Sequence, residues 1–203
     1  PEKHPWIIRG IPACFANEDP FVVNNVTAQE LSKIDTIYGN LIKSAEQLSG
    51  EAYRKATQHM PPYFRDDVSP VLKEILKKGN RAYVITNGGT DKVKRMLGEI
   101  DVNIPVYGDA EKFAVDKEWD NIPEKLQIGR KCIFLRRAKY FNILQEIKGG
   151  KIVIGDVFSM DLSLPYSIGI PIVLVKTSYT PSWAEKFVKK NGKVVKSLLE
   201  ALG

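Results

Sequence analysis

KIVIGDVFSMDLSLPYSIGIPIVLV, residues 151–175, is the stretch from which the fold of this chain can be read. Ile152, Val153 and Ile154 run without a polar interruption into Gly155 and Asp156, and Asp161 follows five positions later. An unbroken apolar run fits a parallel strand covered on both faces, and open α/β sheets place their ligands beyond the C-terminal ends of such strands. Two acids at that point suit a hard cation or a polarised phosphate. Asp156 is then the direct ligand candidate for Mg²⁺, and Asp161 holds a metal-bound water or pins a neighbouring lysine. The same pair also fits an ordinary acidic loop after a strand, because a spacing between two acids is not specific.

The segments on either side repeat one pattern. VSPVLKEILKK, residues 68–78, places Val71, Leu72, Ile75 and Leu76 on one helical face and ends in lysines before Gly79-Asn80, a stop signal. From Arg81 an apolar stretch runs through Ile85 and Thr86 into Asn87-Gly88-Gly89, and the chain restarts as a helix with Val93, Met96 and Leu97 facing in. A strand, a glycine turn and a helix start orient backbone N–H groups toward an oxyanion, and Thr86 adds a hydroxyl; a plain tight connector uses the same residues. Ile104 to Tyr107 reads as a second short strand, and residues 108–130 as an irregular or hairpin-like insertion. KCIFLRR then reads as extended, AKYFNILQEI as a helix with Phe141, Leu144 and Ile147 on a stripe and Lys139 at its start, and Ile170–Val175 as a strand. A final amphipathic helix is expected to end in KVVKSLLEALG. Strands alternating with helices predict an α/β protein with a doubly wound, mostly parallel, Rossmann-like sheet.

Ahead of this core the chain changes character. Residues 27–60 are polar, glycine-interrupted and helical in pattern, Thr27 with Glu30 resembles a capping box, and Pro61-Pro62 closes the segment. Trp6 to Ile8 reads as a first strand. The expected organisation is therefore a core formed by residues 1–16 and 66–203, with residues 17–65 inserted as a small helical cap above the sheet edge. Tyr38, Tyr53 and His59 give that cap polar contacts without naming a ligand.

Composition narrows the classes. The chain has 203 residues, 43% hydrophobic and 27% charged, which is ordinary globular composition. No apolar run approaches the roughly 20 residues of a membrane helix, the longest candidate being Ile168–Val175, broken by Pro171. The first residues carry too short an apolar stretch for a secretory signal, and Cys14 and Cys132 form no disulfide or zinc pattern, so a cytoplasmic location is expected. The net charge of +6 is spread over segments that also carry acids. With no aromatic-interleaved basic motif to stack bases, nucleic acid is not the expected partner, although Lys77, Lys78, Arg81 and Lys92 to Arg95 could steer anions.

ITNGG at 85–89, a lysine opening a helix at Lys139, and GDVFSMD at 155–161 resemble, in order, the second, third and fourth motifs of the haloacid dehalogenase-like superfamily. Lys139 lies 17 positions before Asp156, room for a helix and a strand, and the resemblance covers roughly residues 68–175. It implies a three-layer α/β sandwich and a Mg²⁺-dependent phosphatase of small phosphorylated metabolites. Thr86 and the Asn87-Gly88 backbone would hold phosphate oxygens, Lys139 would balance charge, and Asp156 and Asp161 would serve Mg²⁺. Arg136 and Arg137 are the alternatives to Lys139.

One motif departs. The family begins with an apolar strand followed by an aspartate nucleophile and a second aspartate two positions on, whereas this chain reads WIIRGIPACF from Trp6 to Phe15. Without the nucleophile there is no aspartyl-phosphate, and covalent phosphoryl transfer needs one in line with phosphorus. The 78 positions from Ile8 to Thr86 leave room for a cap and a helix, so the first strand is expected at Trp6–Ile8 rather than upstream. The expectation is a degenerate active site, an impaired hydrolase or an inactive phosphate- or nucleotide-binding protein, unless Glu18 or Asp19 folds back as a relocated acid.

Overall fold

The computed structural model describes residues 64–112 and 122–202. The predicted strand at Trp6–Ile8, the motif-poor segment to Phe15 and nearly all of the predicted cap lie outside them. The chain divides into two compact units, Phe64–Leu126 with Leu135–Gly203, and Pro1–Tyr63 with Gln127–Phe134. Of the second of these, the described part is Gln127–Phe134, most of a hairpin. Its strands β3 (Lys125–Ile128) and β4 (Lys131–Phe134) pair across a two-residue turn at Gly129-Arg130. Residues 108–130 read as an irregular or hairpin-like insertion; the hairpin straddles the end of that range with KCIF as its second strand, and residues 113–121 lie outside the described residues.

The larger unit is a mixed α/β structure with short parallel strands in two open sheets. Helix α1 (Val68–Lys77) leads to β1 (Val84–Ile85), then α2 (Thr90–Gly98) and β2 (Val106–Tyr107). β1 and β2 pair in parallel, Val84 opposite Val106. Leu72, Val93 and Leu97 of the two helices pack with Val84, Val102, Ile104 and Val106 on one face. Tyr83, Ile85 and Tyr107, pointing the other way by the alternation of a strand, pack with Ala110 and with Ile143 and Ile147 of the next helical segment. The small sheet is thus covered on both sides, which is why its residues read as continuous apolar runs. Helix α1 stops where the sequence signals it. Gly79 adopts φ +76° and donates to the Leu76 carbonyl, and Asn80 donates to Ile75, the paired bonds of a glycine C-cap.

Helix α3 (Ala138–Glu146) then delivers β5 (Val153–Gly155), a π-helical turn (Phe158–Leu162), α4 (Ser163–Ser167) and β6 (Ile172–Val175). β5 pairs in parallel with β6, and β6 with a further strand, β7 (Lys193–Val195). All four residues of β6 are buried, as a central strand requires. Val173, Val175 and Val195 form the core of one face with Ile154, Leu198 and Ala201.

The C-terminus differs from expectation. Helix α5 (Ser182–Asn191) ends before Gly192, and KVV forms β7 instead of extending the helix. The β-branched pair Val194-Val195 favours a strand. Gly192 also passes so close to β6 that a Cβ there would sit 2.7 Å from the Ile172 carbonyl oxygen, a contact that no other residue could make. Among the described residues no helix is long and apolar enough to cross a membrane.

Candidate functional site

Four strand ends of the larger unit carry polar residues. After β1 come Thr86, Asn87 and Gly88; after β2 the loop Gly108–Lys112; after β5 Asp156 and the turn bearing Asp161; after β6 Thr177 to Thr180. Parallel strands present their C-terminal ends to one edge of a sheet, and that is where the chemistry-bearing residues gather.

The loop after β2 is held in an unusual shape. Asp109 and Glu111 both adopt φ +49°, a left-handed conformation that costs a non-glycine residue about 1–2 kcal/mol. It persists because the end of β1 accepts its amides: Asp109 donates to the Gly88 carbonyl at 3.0 Å and Ala110 to the Thr86 carbonyl at 2.9 Å. Lys112 donates its backbone N–H to Asn87 Oδ1 at 2.8 Å. Asn87, expected among the phosphate contacts, thus uses its side chain to brace this loop. Thr86 Oγ1 accepts the Gly88 N–H at 3.1 Å and keeps its own proton to donate.

What the brace delivers is Lys112. Its ammonium lies 2.5 Å from Asp161 Oδ1, and both side chains are mostly buried, at 13% and 12% exposure. Asp161 Oδ2 accepts the Val157 N–H at 3.0 Å, and the Tyr140 hydroxyl donates to the Asp161 carbonyl oxygen at 2.7 Å. Burial, and then the charge of Asp161, raises the Tyr140 phenol far above its ordinary range, which keeps it a donor. Lys112 also lies 5.8 Å from the centroid of the Tyr140 ring.

Beneath the turn Arg137 is 1% exposed and donates to the carbonyls of Ser159, at 2.7 Å, and Met160, at 3.2 Å. Desolvation lowers its pKa to about 10, against the opposing pull of Tyr140 and Asp161, so it remains cationic at neutral pH. Asp156 accepts the Tyr179 hydroxyl on Oδ2 at 2.5 Å. Tyr179 is pushed up to about 12 by partial burial and by that bond to Asp156.

Lys139 lies elsewhere. It is on the first turn of α3, 44% exposed, with its ammonium 2.9 Å from Glu111. It borders an open cleft of about 520 Å³, lined also by Thr90, Tyr107, Asn142 and Glu146. The structure therefore brings Asp161, Asn87 and, through the loop, Thr86 together around Lys112, with Asp156 engaged by Tyr179. It sets Lys139 against Glu111. No known family, curated protein or solved structure matches this chain.

Lys112 was not singled out by pattern, because it lies in a stretch with neither helical nor strand periodicity. Its only sequence signal is position, a lysine five residues after the end of a strand that runs beside the one bearing TNG.

Chemically, the arrangement offers the Thr86 hydroxyl after β1 and the Lys112 ammonium from the loop after its neighbour β2. In such a set an ammonium supplies a fixed positive charge and a hydroxyl supplies a directed hydrogen bond, the two elements by which oxyanions are bound in general.

Proposed function

We propose that this chain is a haloacid dehalogenase-like protein that holds a small phosphorylated molecule or inorganic phosphate at its strand ends without forming a covalent phosphoryl intermediate. The finer architecture goes with this reading: β1–β2 and β5–β6–β7 are two parts of one doubly wound, three-layer sheet, and residues 17–65 form the cap. A cytoplasmic setting, where small phosphorylated metabolites are at hand, is part of the same proposal.

The observation that carries the reading is the contact of Lys112, from the loop after β2, with Asp161, from the turn after β5, while Asn87 after β1 fixes the Lys112 backbone. Three chain segments far apart in sequence converge on one cation at strand C-termini, the place where α/β folds hold ligands. The absence of an aspartate from Trp6 to Phe15 argues against an aspartyl-phosphate. Lys112 is a stronger choice than Lys139 for the lysine of such a site, since Lys112 touches the carboxylate and Lys139 pairs with an exposed glutamate.

A Mg²⁺-dependent phosphomonoesterase is the second reading, favoured by the two carboxylates following β5. The two separate in one experiment. The full chain is titrated with inorganic phosphate and a nucleotide panel by thermal shift, and assayed for aryl phosphate hydrolysis with Mg²⁺. The binding reading expects stabilisation by a phosphate-bearing ligand, reduced in Thr86→Val and Lys112→Met but kept in Lys139→Met, with weak or absent turnover. Robust turnover abolished by Asp156→Asn would establish the esterase instead, and no shift with any anion would remove the binding reading.

A further inference from the structure

We propose that the Lys112 ammonium takes the Asp161 oxygen that a metal-bound water would otherwise use, so that the site takes a phosphate dianion without metal. The proposal rests on the phosphate-binding reading for its ligand, and on geometry alone for its claim about the cation.

The oxygen donors do not fit an added Mg²⁺ as they are arranged. Asp161 has Lys112 on Oδ1 and the Val157 amide on Oδ2, and Asp156 has the Tyr179 hydroxyl on one of its two oxygens. Magnesium binds at about 2.1 Å in near-ideal octahedral geometry, so an ion sharing Asp161 Oδ1 would lie within about 4 Å of an ammonium, a like-charge contact in a half-buried site. Among the described residues no group of three or more histidines, cysteines or acids is placed to hold a metal.

Neither partner is free to make way. Asp161 is fixed from three sides: its amide donates to the Val157 carbonyl at 2.7 Å, its carbonyl accepts the Tyr140 hydroxyl, and Gly155 lies so close that a Cβ there would be 2.5 Å from the Asp161 Cβ. Lys112 begins from a backbone pinned by Asn87 and directly follows the left-handed Glu111. Charge leads to the same result. Asp156 and Asp161 contribute two negative charges, and Lys112 with the buried Arg137 returns two positive ones. Asp161 is thus balanced from within by Lys112, and less negative charge is left to draw a divalent ion.

The ligand class follows from this balance. A carboxylate pair awaiting metal repels phosphate until the metal arrives, whereas a carboxylate already paired with an ammonium repels it less and leaves its recognition to directed donors. The Thr86 hydroxyl, whose oxygen accepts the Gly88 N–H and whose proton is left to donate, supplies a directed donor.

The test uses the full chain. Inorganic phosphate is titrated calorimetrically in EDTA and in excess Mg²⁺, and Mn²⁺ is titrated separately by electron paramagnetic resonance. Phosphate affinity is expected to agree within about two-fold between the two buffers, and the unaltered chain to leave Mn²⁺ free. Lys112→Met, which uncovers the carboxylates, is expected to bind Mn²⁺ at least about ten-fold more tightly, and Lys112→Met with Asp161→Asn to lose that gain. Phosphate binding that tightens about ten-fold or more with Mg²⁺, or stoichiometric Mn²⁺ binding by the unaltered chain, overturns the proposal. Should phosphate bind in neither buffer, the phosphate reading fails, but the Mn²⁺ titration still decides the cation claim. Should Lys112→Met not fold, the Mn²⁺ titration of the unaltered chain decides it alone.

Discussion

Gly155→Ala adds one methyl group at the position where the site is tightest. The backbone there is not left-handed, so an alanine meets no conformational penalty of its own. The obstacle is Asp161. An ideal Cβ at position 155 would lie 2.5 Å from the Asp161 Cβ and 3.0 Å from both its Cγ and its Oδ2. The nearest atom is attached directly to the main chain of the π-helical turn, so a rotamer change cannot relieve the clash. Relief requires the turn to shift, and the turn is tied by the Asp161 amide, the Tyr140 hydroxyl and Lys112. Overpacking alone costs about 1–3 kcal/mol. Separating a buried ion pair from its partner costs about 3–5 kcal/mol, which sets the ceiling if Lys112 loses Asp161. A destabilisation of about 3 kcal/mol is therefore expected, an urea midpoint lower by about 1–1.5 M at an m-value of about 2–3 kcal/mol/M. Trp183, whose ring is edge-on to Phe158 of the same turn at 6.0 Å, reports the transition by fluorescence. Gly150→Ala is the control, since a Cβ there meets nothing within 4 Å, and should stay within about 0.5 kcal/mol of the parent. If Gly155→Ala matches that control, the close approach of strand and turn is not what holds Asp161 in place.

Tyr140→Phe should cost about 1–3 kcal/mol by urea unfolding, because it leaves the buried Asp161 carbonyl without its donor, whereas Tyr166→Phe, which loses an exposed bond to Asn191, should be near neutral. Asp67 links the start of the larger unit to its end, taking Arg65 on both oxygens and the Leu198 amide at 2.7 Å. Burial by itself would raise the Asp67 carboxyl, but Arg65 and the Leu198 amide outweigh it and hold the group below its ordinary value of 3.8. A carboxyl depressed in the folded state binds its proton more readily when unfolded, so its stabilisation is full above that value and is lost as pH falls below it. The stability difference between the parent and Asp67→Asn should then be constant near neutrality and shrink in denaturant melts below about pH 4. A difference that grows on acidification would refute the linkage.

Much of the core could be read from the sequence because local and tertiary preferences agree there. The apolar runs ending at Ile85, Tyr107, Gly155 and Val175 are strands that pair in parallel, and the stripe through Val71, Leu72 and Ile75 is a helix stopped by Gly79. The C-terminal KVVKSLLEALG misled, since its apolar spacing fits a helix, whereas its β-branched Val194-Val195 and the approach of Gly192 to β6 favour a strand over Lys193–Val195. The site was legible in part. Asp156, Asp161, Thr86 and Asn87 stand out in the sequence as strand-end residues, but the lysine that touches Asp161 does not. Lys139 has the spacing along the chain that the resemblance implies, and Lys112 is the lysine in contact with Asp161. Periodicity cannot find such a residue, because a left-handed loop has no period. The role of Asn87 as a brace was hidden for a related reason: its partner is a backbone amide 25 positions away, and an amide has no letter in the sequence.

The left-handed loop also determines how this region opens. Asp109, Ala110 and Lys112 place their amide protons on three acceptors within residues 86–88, while Val84 and Thr86 place theirs on carbonyls of the β2 segment. Once one of the loop bonds breaks, the conformations at Asp109 and Glu111 lose what sustains them and relax, taking the others along. These amides should therefore exchange with deuterium as one block, at one free energy of opening, rather than fraying inward from the loop tip as surface loops do. In exchange experiments the loop would behave as part of the β1–β2 ladder, and the ammonium of Lys112 would leave Asp161 only when that block opens.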